Sequence, residues 1–179
     1  MPNQHKAMPA NIEIKARVVD MQALRRRAAA LCDQAPVIIE QLDTFFNIPR
    51  GRLKLRTWGT GAGQLIYYER LDERGPKRSD YFVADLAEAN GVEEVLSKAY
   101  GVRRSVRKRR ELFLIRNTRV HLDTVDDLGE FVELEVVLGP GESDRGGEAE
   151  ARRLMASLGI ADADCVTGAY VDLLEELAS

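Results

Sequence analysis

Ionisable residues recur at every second position in five separate segments of this chain: Glu13, Lys15 and Arg17; Arg52, Lys54 and Arg56; Lys108 and Arg110; Arg119, His121 and Asp123; and Glu133 with Glu135. Side chains alternate across a β-strand, so each segment reads as a strand with one charged face. Its other face is apolar, as Ile12, Ile14, Ala16 and Val18 illustrate for the first. One such strand is an ordinary solvated sheet face, but five restrict the fold much further. If the sheet closes into a barrel with its apolar side under helices, the charged faces converge on an interior. Charge is tolerated there only when it is paired or meets water, ions or a ligand.

The order of elements favours an antiparallel arrangement. Asp20 can cap a helix whose Met21, Leu24, Ala28 and Leu31 fall at helical spacing, with Arg25, Arg26 and Arg27 turned mostly outward. Residues 37–46 are β-branched and aromatic, and the turn Pro49-Arg50-Gly51 leads into a strand over 52–57. That strand is expected to pair with 64–71 across the glycine-rich loop 59–63. The loop lacks the Lys-Ser/Thr ending of a P-loop and precedes a strand, so it reads as a turn and not a phosphate cradle. A further strand covers 79–83, and Asp85 is expected to start a second helix that packs through Ala87, Val92, Val95, Leu96 and Ala99. A long basic strand runs from Gly101 to about Arg116, returns through 119–123 and is followed by 131–138. The rest is helical, over 148–158 and about 168–177. Strands first, with helices inserted or appended, indicate an α+β fold. The expected organisation is a single domain over 1–179, with barrel strands within about 10–138 and a helical segment over about 144–178.

Composition narrows the function. With 45% hydrophobic residues, 31% charged residues and a net charge of -3, the chain reads as a soluble globular protein without a generally basic surface. Anion binding must then come from local clusters. Cys32 and Cys165 lie far apart without metal-ligand spacing and read as reduced, structural residues. No apolar run approaches the ~18 residues of a membrane span, and Met1 to Ala10 lacks an apolar core, so the expected location is cytoplasmic. Nucleic acid is not an expected partner: in the basic stretch 103–110 only the even positions Lys108 and Arg110 match the charged alternation, Arg107 and Arg109 should face away, and no base-stacking aromatics are interleaved. His121 reads as a packed or hydrogen-bonded histidine before a general base, and Tyr170 as a core residue. Arg70 suits either a substrate contact or the surface.

Carboxylates and bases on one converging surface suit a polyphosphate with a divalent cation, since carboxylate oxygens hold the metal while Lys and Arg hold phosphoryl oxygens. The segments Asn11-Ile12-Glu13-Ile14-Lys15, Asp43-Thr44-Phe45-Phe46, Arg52-Leu53-Lys54-Leu55-Arg56, Val106-Arg107-Lys108-Arg109-Arg110, His121-Leu122-Asp123 and Leu128 to Glu135 occur in an ordered set. That set resembles the CYTH, or triphosphate tunnel metalloenzyme, superfamily. Leu65 to Arg70 and Ser79-Asp80-Tyr81 resemble its class IV adenylyl cyclase branch.

The resemblance implies an eight-stranded antiparallel closed β-barrel with flanking helices that binds a triphosphate with Mg2+ or Mn2+. It implies metal ligation by Glu13, Glu133 and Glu135, with Asp123 as a further ligand. Phosphate binding falls to Lys15, Lys54, Arg56, Lys108, Arg110 and Arg119, of which Lys15, Lys54 and Arg56 are the catalytic candidates. The class IV branch implies conversion of ATP to cyclic AMP and pyrophosphate. The alternatives are hydrolysis of inorganic triphosphate, thiamine triphosphate or a nucleotide, and non-catalytic binding of a polyphosphate or nucleotide. A homodimer is implied as well. Asn11 occupies the first acidic position of the ExExK pattern and brings no charge, so the expectation is one firmly held cation, any second being bound mainly by substrate oxygens.

Overall fold

The alternating segments do close on themselves. The computed structural model describes residues 9–32 and 34–178. Its strands are β1 (Ala10–Arg17), β2 (Val37–Phe46), β3 (Arg52–Thr57), β4 (Gly63–Arg70), β5 (Lys77–Leu86), β6 (Val102–Ile115), β7 (Thr118–Val125) and β8 (Gly129–Val137). Every pairing is antiparallel, and the order β1-β5-β4-β3-β2-β6-β7-β8 forms a closed barrel. Period-2 burial is clearest in β6, where Val106, Lys108 and Arg110 are buried while Arg107 and Arg109 face solvent.

Among the described residues four α-helices and a short 3-10 turn over Asp162–Asp164 accompany the barrel, the helices being α1 (Met21–Ala30), α2 (Asn90–Tyr100), α3 (Asp144–Leu158) and α4 (Tyr170–Glu176). Asp20 caps α1 as its sequence suggests, accepting a 2.9 Å hydrogen bond from the Ala23 amide. The outward apolar faces of β1, β6, β7 and β8 meet α1 and α3. Ile14, Phe113, Val120, Leu122 and Leu134 pack there with Met21, Leu24, Ala28, Leu154, Met155 and Leu158. Full burial of such a side chain stabilises by roughly 1.5–3 kcal/mol, so this outer layer supplies the main cohesion of the fold. Val171 and Leu174 of α4 join Val106, Val125 and Phe131 near one end of the barrel. No helix among the described residues is long and apolar enough to cross a membrane.

Four local expectations are corrected. Asp85 does not start a helix: β5 stays paired with β4 as far as Leu86 opposite Gly63, and α2 begins only at Asn90. The capping carboxylate is Glu88, which accepts from the amides of Asn90 and Gly91 at 2.7 and 3.0 Å. No residue of α2 is fully buried; Val92 and Leu96 are half-buried, whereas Ala87, Val95 and Ala99 are exposed. Leu31 terminates α1 and is exposed. Finally, α3 starts at Asp144 and not near 148, because Ser143 caps it through the Gly146 amide.

The seating of α3 on β1 leaves no space at Gly147. A Cβ there would lie 2.6 Å from Ile12 Cγ1 and 2.8 Å from Leu138 Cδ2. Overpacking of this kind costs about 1–3 kcal/mol, and it opposes the roughly 1 kcal/mol that alanine gains over glycine inside a helix. Because fully buried Ile12 cannot move aside, Gly147→Ala is expected to lower the midpoint of thermal or urea denaturation. A raised midpoint would show that helix propensity wins and that the contact is looser.

Candidate functional site

Strand register, fixed by the backbone ladder, carries the inward residues into one tunnel. Glu13 lies opposite Glu135, Lys15 opposite Glu133, Arg119 opposite Glu135 and His121 opposite Glu133. On the far wall Asp43 faces Arg56 and Phe45 faces Lys54, while Arg110 faces Asp123. The resulting cavity holds about 340 Å³. Its wall carries Lys15, Lys54, Arg56, Arg70, Lys108, Arg110 and Arg119 against Glu13, Asp43, Glu133 and Glu135, so cationic side chains are in excess.

Nine of the ten residues singled out from the sequence line this cavity: Glu13, Lys15, Lys54, Arg56, Lys108, Arg110, Arg119, Glu133 and Glu135. Asp123 is placed differently from the expectation that it joins the metal ligands. It is completely buried, with Oδ1 accepting from Arg110 Nε at 2.7 Å and Oδ2 from Arg110 Nη2 and, at 2.9 Å, from the Tyr170 hydroxyl. Lys108 Nζ lies 3.5 Å from the same Oδ2, so Asp123 serves as the counter-ion that orients Arg110 and Lys108. Arg17 and Arg52 share the charged phase of their strands without reaching the cavity wall. Arg17 is exposed beside the Phe131 ring, and Arg52 is held by Asp72 and Asp172.

Ion pairs fill much of the interior. Lys15 Nζ lies 2.9 Å from Glu133 Oε1, Arg70 Nη1 donates to Glu13 Oε1 at 2.7 Å, and Arg119 Nε donates to Glu135 Oε2 at 2.8 Å. Asp43 accepts from Lys54 at 2.9 Å and from Arg56 Nε at 2.8 Å. His121, Glu133 and Glu135 each present a ligand-type atom, all within 4.8 Å of one another. Among the described residues, four buried polar side-chain atoms lack a hydrogen-bond partner. Three of them belong to tunnel residues: Asn11 Oδ1, Arg70 Nε and His121 Nδ1.

The CYTH domain family model matches residues 9–170. This chain belongs to the CYTH family. Among solved structures it is similar to the PH1012 protein of Pyrococcus horikoshii, at 25% identity and a TM-score of 0.81 over 91% of this chain and 98% of that one. A Vibrio parahaemolyticus protein described as a candidate adenylate cyclase matches at 16% identity and a TM-score of 0.79, covering 95% of this chain and 99% of its own. A Hippeastrum protein described as having a dominant triphosphatase activity matches at 15% identity and a TM-score of 0.57, covering 84% and 88%. No curated protein matches the chain.

Electrostatics divide the CYTH tunnel into groups that stay charged and groups poised to change. Burial pushes the Glu133 carboxyl up, but Lys15, Lys108 and Arg110 together hold it well below its ordinary range. Asp43 is likewise kept ionised by Arg56, Lys54 and Lys108 against its burial. Burial, helped by Arg110, lowers His121 and keeps its imidazole neutral near pH 7. Burial and the Arg56 guanidinium bring Lys54 down to about 7 in spite of Asp43.

Some wall residues escaped the sequence reading. Asp43 shares its inward phase with Ile39, Gln41 and Phe45, so that face of its strand carries a single charge and shows no charged alternation. Tyr170, expected in the core, does pack there, yet its ring also lies 3.6 Å from Lys15 Nζ and 4.7 Å from Lys108 Nζ. His121 is buried as expected but makes no hydrogen bond through Nδ1. Of the two settings open to Arg70, the structure selects the interior, beside Glu13.

Because Lys54 loses its proton through about pH 7, an anion in the tunnel must favour the protonated form and bind with proton uptake. Affinity for inorganic triphosphate is expected to fall about tenfold for each unit by which the ligand raises this pKa, once pH is well above 7. Calorimetry in buffers of different ionisation enthalpy measures the uptake. Lys54→Arg, which stays charged, is expected to flatten the dependence; an unchanged profile would exclude Lys54 as the titrating group.

Proposed function

We propose that this protein is a metal-dependent enzyme that binds an organic triphosphate in its tunnel and converts ATP to cyclic AMP and pyrophosphate. The observation that carries the reading is the composition of the wall: seven cationic side chains against four carboxylates around a cavity of about 340 Å³. A triphosphate carries roughly four negative charges near neutral pH, and one divalent cation offsets two of them. With Asp123 counted behind Arg110 and Lys108, seven bases meet five carboxylates, and this excess of two matches the remainder.

The residues suit a cation as well. Glu133 and Glu135 are ionised and adjacent on the inward face of β8, and Glu13 lies opposite Glu135 in the ladder. Asn11 Oδ1, a buried acceptor without a partner two residues before Glu13, can accept from a bound water or ligand. These groups would hold Mg2+ or Mn2+, which neutralises charge developing on the phosphoryl oxygens.

The chain's own chemistry follows from position and charge. Lys15, Lys108, Arg110, Arg119 and Arg56 hold phosphoryl oxygens and resist their rotation, which fixes the nucleophile, the α-phosphorus and the leaving group in line. Lys54, which a bound anion keeps protonated, holds a phosphoryl oxygen with them, and the proton of the ribose 3′-hydroxyl passes to water at the open wall beside Val83. The 3′-oxygen to phosphorus bond forms as the bond to the β-phosphate oxygen breaks, and pyrophosphate leaves. Ile39, Trp58, Val83 and Leu112 give the wall an apolar portion that a nucleoside can cover.

The same portion of the wall supports a second reading. Val83 is 46% exposed there, so water reaches the wall and could replace the ribose hydroxyl as nucleophile, making the protein a triphosphatase. Product analysis after incubation with ATP and Mn2+ separates the two: cyclic AMP with pyrophosphate supports cyclisation, whereas orthophosphate without cyclic AMP replaces it with hydrolysis. Binding without turnover of any triphosphate would leave only a non-catalytic role. Glu135→Ala is expected to abolish metal-dependent turnover. Arg107→Ala, on the outward face and 67% exposed, is expected to leave it within about twofold. Equal losses would refute the assignment of faces.

A further inference from the structure

We propose that His121 is a nitrogen ligand of the tunnel's divalent cation and biases the site toward Mn2+ over Mg2+. This deepens the reading of the tunnel as a metal-dependent triphosphate site and rests on it.

The imidazole is placed as a ligand would be. His121 is 4% exposed, and its Nδ1 has no hydrogen-bond partner. That atom lies 3.8 Å from Glu133 Oε2 and 3.8 Å from Glu135 Oε1. Such separations are too long for hydrogen bonds. They suit atoms that share one ion: donors roughly 2.1–2.2 Å from a small divalent cation stand about 3 Å apart when adjacent and about 4.4 Å apart when opposite. The backbone ladder fixes this proximity, because His121 is the register partner of Glu133, with Glu135 next on the same face.

The surrounding pairs leave this corner as the place for the cation. Glu135 turns Oε2 to Arg119 and Oε1 toward the imidazole, whereas Glu13 gives Oε1 to Arg70 and is flanked in the inward phase of its strand by neutral Asn11 and cationic Lys15. Glu133 is bound by Lys15 and Arg110, and a triphosphate would draw both bases toward its own oxygens. What remains is a donor set of one imidazole nitrogen with carboxylate and phosphate oxygens. Mg2+ holds to oxygen ligands and dehydrates reluctantly, while Mn2+ accepts nitrogen more readily.

The experiment uses Mn2+ with the intact chain, first alone and then with one equivalent of inorganic triphosphate, which draws Lys15 and Arg110 off Glu133. Titration followed by the electron paramagnetic resonance of free Mn2+ gives stoichiometry and affinity, and pulsed resonance of the bound ion reports nitrogen coupling. The expected result is one Mn2+ per chain with ¹⁴N coupling. The chain has two histidines, so loss of the coupling in His121→Gln assigns it to His121 and not to His5. That variant is expected to bind Mn2+ about 10- to 100-fold more weakly, with a clearly smaller loss for competing Mg2+. Absence of nitrogen coupling in the unaltered protein with triphosphate present overturns the proposal whether or not the variant folds, as does failure to bind Mn2+ there or an equal loss for both ions. Triphosphate turnover without nitrogen coupling would remove this inference alone. Coupling without turnover of any triphosphate would support it and remove the enzymatic reading instead.

Discussion

The pairing of charge inside a closed barrel is the constraint on which the rest of the structure depends. Removing ions from water is expensive, and a buried pair often recovers little more than its own desolvation. The interior pairs, Asp43 with Lys54 and Arg56, Asp123 with Arg110 and Lys108, Glu13 with Arg70, and Glu133 with Lys15, are therefore poor candidates for the source of stability. Cohesion comes from outside the barrel, where Phe113, Leu134, Leu154 and Leu158 close the seam between sheet and helices. The β-pleat lets one strand serve both ends: Ile14 faces the outer core while its neighbours Glu13 and Lys15 face the tunnel.

That division explains how much of the molecule could be read from sequence. Alternation at Lys108 and Arg110 against Arg107 and Arg109 survives folding intact, because a strand in a closed barrel has only an inside and an outside. Places where the period fades were harder. Asp43 stands alone among apolar and amide residues in its phase, and its importance rests on Lys54 and Arg56, which reach it across a neighbouring strand. Asp85 resembled a helix cap, but capping depends on where the ladder ends. Pairing of Leu86 with Gly63 moved that point onward and left Glu88 to do the capping. Tyr170 belongs to a short helix and reaches the site only through tertiary packing against Phe131, a relation without a sequence period.

Asp123 shows why a correct phase does not settle a role. Its strand directs it inward, as the alternation requires, but the register places it opposite Arg110 and beneath the Tyr170 hydroxyl. Both oxygens are committed, and the carboxylate is wholly buried. A residue in that position orients the cations that touch a ligand and has no lone pair directed at open space. Glu135, twelve residues later and also inward, keeps Oε1 turned toward His121. The two carboxylates differ in what the neighbouring strands deliver to them, and that difference appears only once register is known.

The interior is best understood as a set of exchangeable partners. Each base that would bind a phosphoryl oxygen is already held by a carboxylate, and each carboxylate that would bind a cation is held by a base. A triphosphate alone would strand the carboxylates, and a cation alone would displace bases that have nowhere else to go. Arriving together, the two satisfy both sets, so the wall favours the complex over either component by the same ion pairs that keep it folded without them. Three tunnel atoms stand outside this exchange, Asn11 Oδ1, Arg70 Nε and His121 Nδ1, because no protein partner satisfies them. Of these, His121 Nδ1 lies within 3.8 Å of two carboxylate oxygens and has a lone pair to offer a cation, so the most specific information about the ligand is concentrated there.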